Sequence, residues 1–374
     1  MAFLVAFLRS KWNSLGRSEP TSYDSDSPED IFARKVEAEG WKALGRSQPT
    51  SVRVIEEARE RKERAEKEAE LRRKENEEKE WAELVKESEV DIHYQRIKNL
   101  WVGKFGRIHL AIHRMSGRYC TIKERTYESL SEIKFMNRLS DSPFFIKLLE
   151  VFTSREIVYI VMENAGGGSL RYFLRNHQFE DTFLPFYAAE ILIGLRYLHN
   201  HNIIHRNLSP DSLFVTTDGH MKIGGFSCAK QDVWDGEKLY EKVGSPFYMA
   251  PERFGEEGYT KFSDYWSYGL VLIEILGFPN PFVGKYEEQK WEATKEFVCD
   301  PKRHKRLAVI SRTMKQSHGL IHSLLQEESR RIKPEEILHH LLFQRTNWEA
   351  MERQTIWPPL QGFRTNYQIQ GEPY

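Results

Sequence analysis

The side chains best suited to proton and metal chemistry crowd into one stretch, His205 to Ser212 (HRNLSPDS), with a second, GGFS, at Gly224 to Ser227. Their types limit what they can do. Asn207 is neutral and cannot act as a base, Ser212 is a weak metal ligand, and Gly225 has no side chain. Upstream, Lys123 in CTIKE and Glu132 in ESLSEIKFMNRL are a cation and an acid able to form an ion pair. Cys120, Cys228 and Cys299 lack metal-ligand spacing and read as free or buried thiols of a reducing compartment. No metal site is expected.

Those residues need elements to hold them. LWVGKFGRIHLA, with Gly103 and Gly106, alternates as strand, turn and strand, and TFLPFYAAEILIGLRYLHNHNIIH has apolar residues at helical spacing leading into HRNLSPDS. With IVYIVMENAGGGSL, MAPE, DYWSYG and RRIKPEEILHH, these motifs resemble, in order, a eukaryotic Ser/Thr protein kinase domain that is degenerate, a pseudokinase, over residues 94–345. The resemblance implies an α+β, bilobal protein-kinase fold with a small β-rich N-lobe and a large helical C-lobe.

In that family the two stretches read HRDLKPEN and DFG. Asn207, Ser209, Ser212 and Gly225 therefore stand where a base, a lysine and two metal ligands belong. Losing a general base alone costs about 10²- to 10⁴-fold in rate. The resemblance assigns nucleotide contacts to Gly103, Gly106, Lys123, Glu132, Met162 at the back of the pocket and Glu163 at the start of the inter-lobe linker. Trp101 replaces the first loop glycine, and Thr121 and Phe214 crowd the adenine pocket. It assigns support to an apolar column of Leu148, Met136, Phe226 and His205 anchored by Asp264, to an Arg206–Glu241 pair fixing the activation segment, and to a Glu252–Arg331 pair. The expectation is a chain that is not an enzyme, needs no cofactor, takes ATP weakly and without metal at most, and acts as a scaffold or allosteric regulator. One alternative is a weakly active or unconventional Ser/Thr kinase built on Lys123–Glu132; another is a structural component of a cytoskeletal or flagellar assembly.

The remaining sequence reads as partner-binding. The 374 residues carry 55 basic and 55 acidic side chains, which gives no global attraction to nucleic acid or anionic membrane. The apolar run in MAFLVAFLRSKW is too short to span a bilayer, so no transmembrane segment is expected. Residues 1–51 read as a largely disordered tail holding a duplicated motif, WNSLGRSEPTS from Trp12 and WKALGRSQPTS from Trp41, with a helix opening at Ser27-Pro28-Glu29-Asp30 between the copies. Residues 52–90 read as a charged single helix laced by acid-to-base pairs such as Glu63 to Lys67; a coiled coil is disfavoured because the a and d positions are small or charged. Trp81, Leu84 and Val85 are expected to dock that helix on the following domain. In the tail, 346–374, Trp348 and Trp357 are expected to pack on the domain's own surface, and the basic run Lys302 to Arg306 reads as a solvated helix face. Protein partners in the cytoplasm, with cytoskeletal association as a variant, complete the expectation; the oligomeric state is left open.

Overall fold

The computed structural model describes residues 59–79 and 85–360, apart from positions 60, 74, 77–78, 88–89, 104–105, 127–129, 155–156, 178 and 283–317, of which 295 and 298 are described. The duplicated motif, the 302–306 basic run, Cys299 and residues 361–374 lie outside the described residues. The chain divides into two units, Met1–Trp81 and Ala82–Tyr374. In the first, residues 61–73 are helical, as a run of Glu, Lys, Arg and Ala favours. Its ion pairs include Arg59–Glu63 at 2.9 Å and Lys62–Glu66 at 3.8 Å, each joining residues four apart.

The second unit begins with strand β1 (Val85–Glu87) and helix α1 (Val90–His93), so the expected helix does not extend to residue 90. The reason is tertiary: β1 pairs in parallel with β5 along Val151–Thr153, and that ladder overrides helical propensity. The strands β2 (Tyr94–Gly103), β3 (Gly106–His113), β4 (Tyr119–Thr126), β5 (Leu148–Ser154) and β6 (Ile157–Glu163) complete a sheet in the order β1-β5-β6-β4-β3-β2. One face packs Tyr94, Ala111, Cys120, Ile122, Phe152 and Val161 against Val90 of α1. Side chains alternate across a strand, so Lys123, next to Ile122, points to the other face, where helix α2 (Leu130–Leu139) brings Glu132 to it.

Beyond β6 the chain is mostly helical: α3 (Leu170–Asn176), α4 (Leu184–Asn200), α5 (Ser263–Ile275), α6 (His318–Leu324), α7 (Pro334–Leu338) and α8 (Trp348–Glu352), with a small β7–β8 hairpin (Leu213–Val215, Met221–Ile223). The α5 sequence SDYWSYGLVLIEI is apolar on nearly every side, and nearly all of it is buried, as such a helix must be. Pro185 opens α4, where its missing N–H costs nothing. The sheet-rich N-lobe and helical C-lobe are the α+β architecture expected. No helix among the described residues is long and apolar enough to cross a membrane. Trp348 packs on Phe343 with ring centroids 5.1 Å apart, whereas Trp357 is 79% exposed.

Candidate active site

Lys123 is held by both carboxylate oxygens of Glu132, at 2.6 and 2.7 Å, with Glu132 buried. Burial pushes the Lys123 ammonium below its ordinary pKa and Glu132 pulls it back up. The facing ends of β2 and β3, where Gly103 pairs with Gly106, are glycine-dependent. Gly106 has φ 123°, and a Cβ there would overlap the Glu124 carbonyl. A Cβ on Gly103 would overlap the Trp101 ring, so the indole lies along the loop backbone and Trp101 stays 44% exposed.

At the back, Met162 pairs with Thr121 on β4 and with Leu148 on β5. The Glu163 carboxylate turns elsewhere: it takes Lys222 Nζ at 2.6 Å and the Lys147 N–H at 2.8 Å, so its side chain is engaged in tying β6 to β8. On the floor, Phe214 lies against Gly224; a Cβ on Gly224 would stand 3.0 Å from the Phe214 ring and from Ile146. The large aromatic is accommodated by the missing side chain.

The HRNLSPDS loop hangs from one buried acid. Asp264, at the start of α5, accepts the backbone N–H groups of His205 and Arg206 and the Nε2 of His199, each at 2.9 Å. Burial works against the charge of Asp264, and the hydrogen bonds from His199 and the His205 backbone N–H help outweigh it, leaving the pKa lowered. His205 is fully buried. Its Nδ1 accepts the Asn207 N–H at 3.2 Å and its Nε2 lies 2.9 Å from the Gly224 carbonyl, to which it donates, so the ring is neutral. Burial lowers its pKa and reinforces that state. Its ring meets Phe226 edge-on at 5.4 Å, with Met136 and Leu148 also buried. His205 braces the loop.

Asn207 Oδ1 accepts the Ser245 N–H at 2.8 Å, stapling the loop to the activation segment. The Ser212 hydroxyl closes a turn on Ser209, accepting its N–H and donating to its carbonyl, both at 3.0 Å, and both serines are buried. Gly225 has φ 75°, and a Cβ there would stand 3.2 Å from that of Ser212. Arg206 also has positive φ, 62°; it donates through Nε to the Cys228 carbonyl at 2.6 Å and reaches Glu241 at 3.5 Å. Lys230 is nearer to Glu241, at 2.6 Å; it leads, with Arg206 adding, in holding that carboxylate down at about 2. Glu252 and Arg331 form a two-point pair at 2.6 and 3.1 Å. Asp211 turns to Arg171, 3.3 Å away.

Residues 94–343 match the Protein kinase domain family. The chain belongs to that family. Its relatives include protein kinase C-like 1 of Candida albicans, 31% identical over 212 residues that cover 54% of this chain and 19% of that protein. Human protein kinase C delta type is 30% identical over 275 residues, 70% of this chain and 40% of that one. The cAMP-dependent protein kinase type 3 of Saccharomyces cerevisiae is 32% identical over 209 residues, covering 53% and 52%. Each alignment spans less than two thirds of the relative's own length. These relatives are named protein kinases, which overturns two expectations drawn from the altered loop: that the chain is not an enzyme, and that it needs no cofactor and takes ATP weakly and without metal at most.

The family reaction draws on ATP with Mg²⁺. The residues present fit the nucleotide, through Lys123 and the Gly106 turn. They do not fit protein-held metal at the family positions, because the Ser212 hydroxyl is spent on Ser209 and Gly225 offers no ligand. No group of three or more His, Cys, Asp or Glu side chains among the described residues is placed to hold a metal ion.

Proposed function

We propose that this chain is an unconventional Ser/Thr protein kinase, transferring the terminal phosphoryl group of ATP to a protein hydroxyl at a reduced rate. The observation that carries the reading is the closed Lys123–Glu132 pair at 2.6 Å. Phosphoryl transfer passes through a loose transition state that asks the protein mainly for positioning and charge. A lost base therefore slows the reaction by about 10²- to 10⁴-fold without removing it. Asn207 supplies hydrogen bonding in place of proton removal, and the substrate hydroxyl loses its proton to solvent. Lys123 supplies positive charge at the phosphates. Mg²⁺ commonly keeps several waters and binds through substrate phosphates, so a metal arriving with ATP would supply positive charge at the phosphates without needing a ligand from Ser212 or Gly225.

Arg206, Lys230 and Glu241 support a further part of the reading: an activation segment held in place by a residue already negative, with no phosphorylation required. The test is a phosphorylation assay on generic Ser/Thr peptides with Lys123→Ala as control. Lys123-dependent incorporation is expected; incorporation that survives Lys123→Ala would sink the proposal. Protein partners are proposed to bind the duplicated tryptophan motif and the charged helix. Capture that is unchanged after Trp12→Ala with Trp41→Ala would count against the motif.

A further inference from the structure

Three segments of the chain converge on one arginine beside the loop that carries Asn207. Arg171 is the second residue of α3, at the positive end of the helix, where a cation is disfavoured. Acids hold it there. Its N–H donates to the Pro210 carbonyl at 2.9 Å, and two of its guanidinium nitrogens lie 3.3 Å from Asp211 Oδ2, so backbone and side chain together fix it to HRNLSPDS. The guanidinium also donates to Glu274 of α5 and to the Tyr248 hydroxyl, which itself donates to the other Glu274 oxygen. Tyr248 follows, by three residues, the Ser245 whose N–H Asn207 holds, and its carbonyl is tied to the Ser267 hydroxyl of α5 at 2.7 Å. The Asp211 side chain is 63% exposed and that of Glu274 9%. Asp211 is therefore open to an arriving peptide, Glu274 lies behind it, and Arg171 bridges the two. No sequence spacing announces the cluster, because Arg171 stands 40 residues from Asp211 and 103 from Glu274.

We propose that Arg171 is a specificity-determining residue: by filling the acidic seat of Asp211 and Glu274 from within the chain, it excludes the basic side chains of a peptide and directs the site to protein substrates without arginine or lysine beside the acceptor hydroxyl. This rests on the kinase reading above and deepens it by naming the substrate class. Two carboxylates so close to Asn207 would otherwise attract a cationic peptide through charge-assisted hydrogen bonds. A peptide arginine that reaches them meets a like charge and finds Glu274 bonded on both oxygens. Displacing Arg171 means breaking a largely buried charge pair, which costs more than an exposed contact with Asp211 returns.

The experiment gives the full chain, Arg171→Gln, and Arg171→Gln combined with Glu274→Gln a serine peptide free of Lys and Arg, and a set of the same peptide with one arginine moved through the positions on either side of the serine. Peptide affinity is read by fluorescence anisotropy and phosphoryl transfer from ATP in parallel, with melting temperature recorded for each chain. The unaltered chain is expected to bind arginine peptides no more tightly than the neutral one. Arg171→Gln is expected to gain about ten-fold or more for arginine at one of those positions, the worth of a charge-assisted hydrogen bond, and the gain should appear in KM rather than kcat. The double substitution removes the buried acid as well and should lose most of that gain. An unaltered chain that already prefers arginine peptides would overturn the proposal without any variant, as would an Arg171→Gln chain that melts normally and gains nothing. If the binding pattern appears but no peptide is phosphorylated, the kinase reading fails and the exclusion of basic peptides stands; binding of no peptide by any of the chains would overturn both.

Discussion

Asn207 holds the Ser245 N–H with an oxygen that aspartate would also present, so the position is shaped for an acid it lacks. Asn207→Asp keeps that hydrogen bond and adds a base, and turnover should rise by about 10²- to 10⁴-fold in steady-state kinetics. The two metal positions are less ready. Ser212→Asn must break a hydroxyl bonded twice to Ser209, and Gly225→Asp places a Cβ at φ 75° and 3.2 Å from that of Ser212. Adding both changes should lower stability by about 1 to 2 kcal/mol, seen as a fall in melting temperature, and the fall should shrink when Mg²⁺ and ATP are supplied. The identities of these residues were legible in the sequence. What was not legible is that Ser212 turns inward and that the Glu163 carboxylate leaves the nucleotide for Lys222, a contact across 59 residues.

Among the elements, the activation segment and the Glu252 clamp make separate demands. Glu241 titrates near 2 when folded, against an ordinary 4.5. Its folded pKa is depressed, so its stabilisation is complete above about 4.5 and is lost as pH falls towards 2. Unfolding midpoints in urea should therefore separate the unaltered chain from Glu241→Gln at pH 6 and converge as pH approaches 2; a constant gap would mean that the carboxylate charge is not what holds the segment. Glu241 is 47% exposed, so the gap at pH 6 is small. The Arg331 side chain is 1% exposed, and it also donates to the Phe262, Leu324 and Gln326 carbonyls. Arg331→Met strands Glu252 and those carbonyls, and should cost about 3 to 5 kcal/mol in equilibrium unfolding. The sequence pointed to these pairs because both partners sit in motifs with fixed places in the fold. It gave no sign of Lys230, which stands closer to Glu241 than Arg206 does.

At the scale of the whole molecule, the bilobal architecture was readable because each motif is tied to one element and their order leaves little choice of topology. The join to the preceding segment was not readable. Val85-Lys86-Glu87 is too short for alternation to show, and its strand identity comes from the β5 edge it meets. The consequence is that the kinase-like unit begins before its first motif. Val90 is 2% exposed in the core of the sheet's outer face, and Asp91 pairs with Arg96 at 3.1 Å. Removing residues 1–81 leaves every described strand of the sheet in place. Removing residues 1–93 uncovers the β5 edge and deletes Val90, whose burial alone contributes about 1.5 to 3 kcal/mol. That shorter chain should melt several degrees lower and should aggregate through the bared edge, as light scattering would show. Equal melting of the two truncations would mean that β1 and α1 lie on the N-lobe without stabilising it.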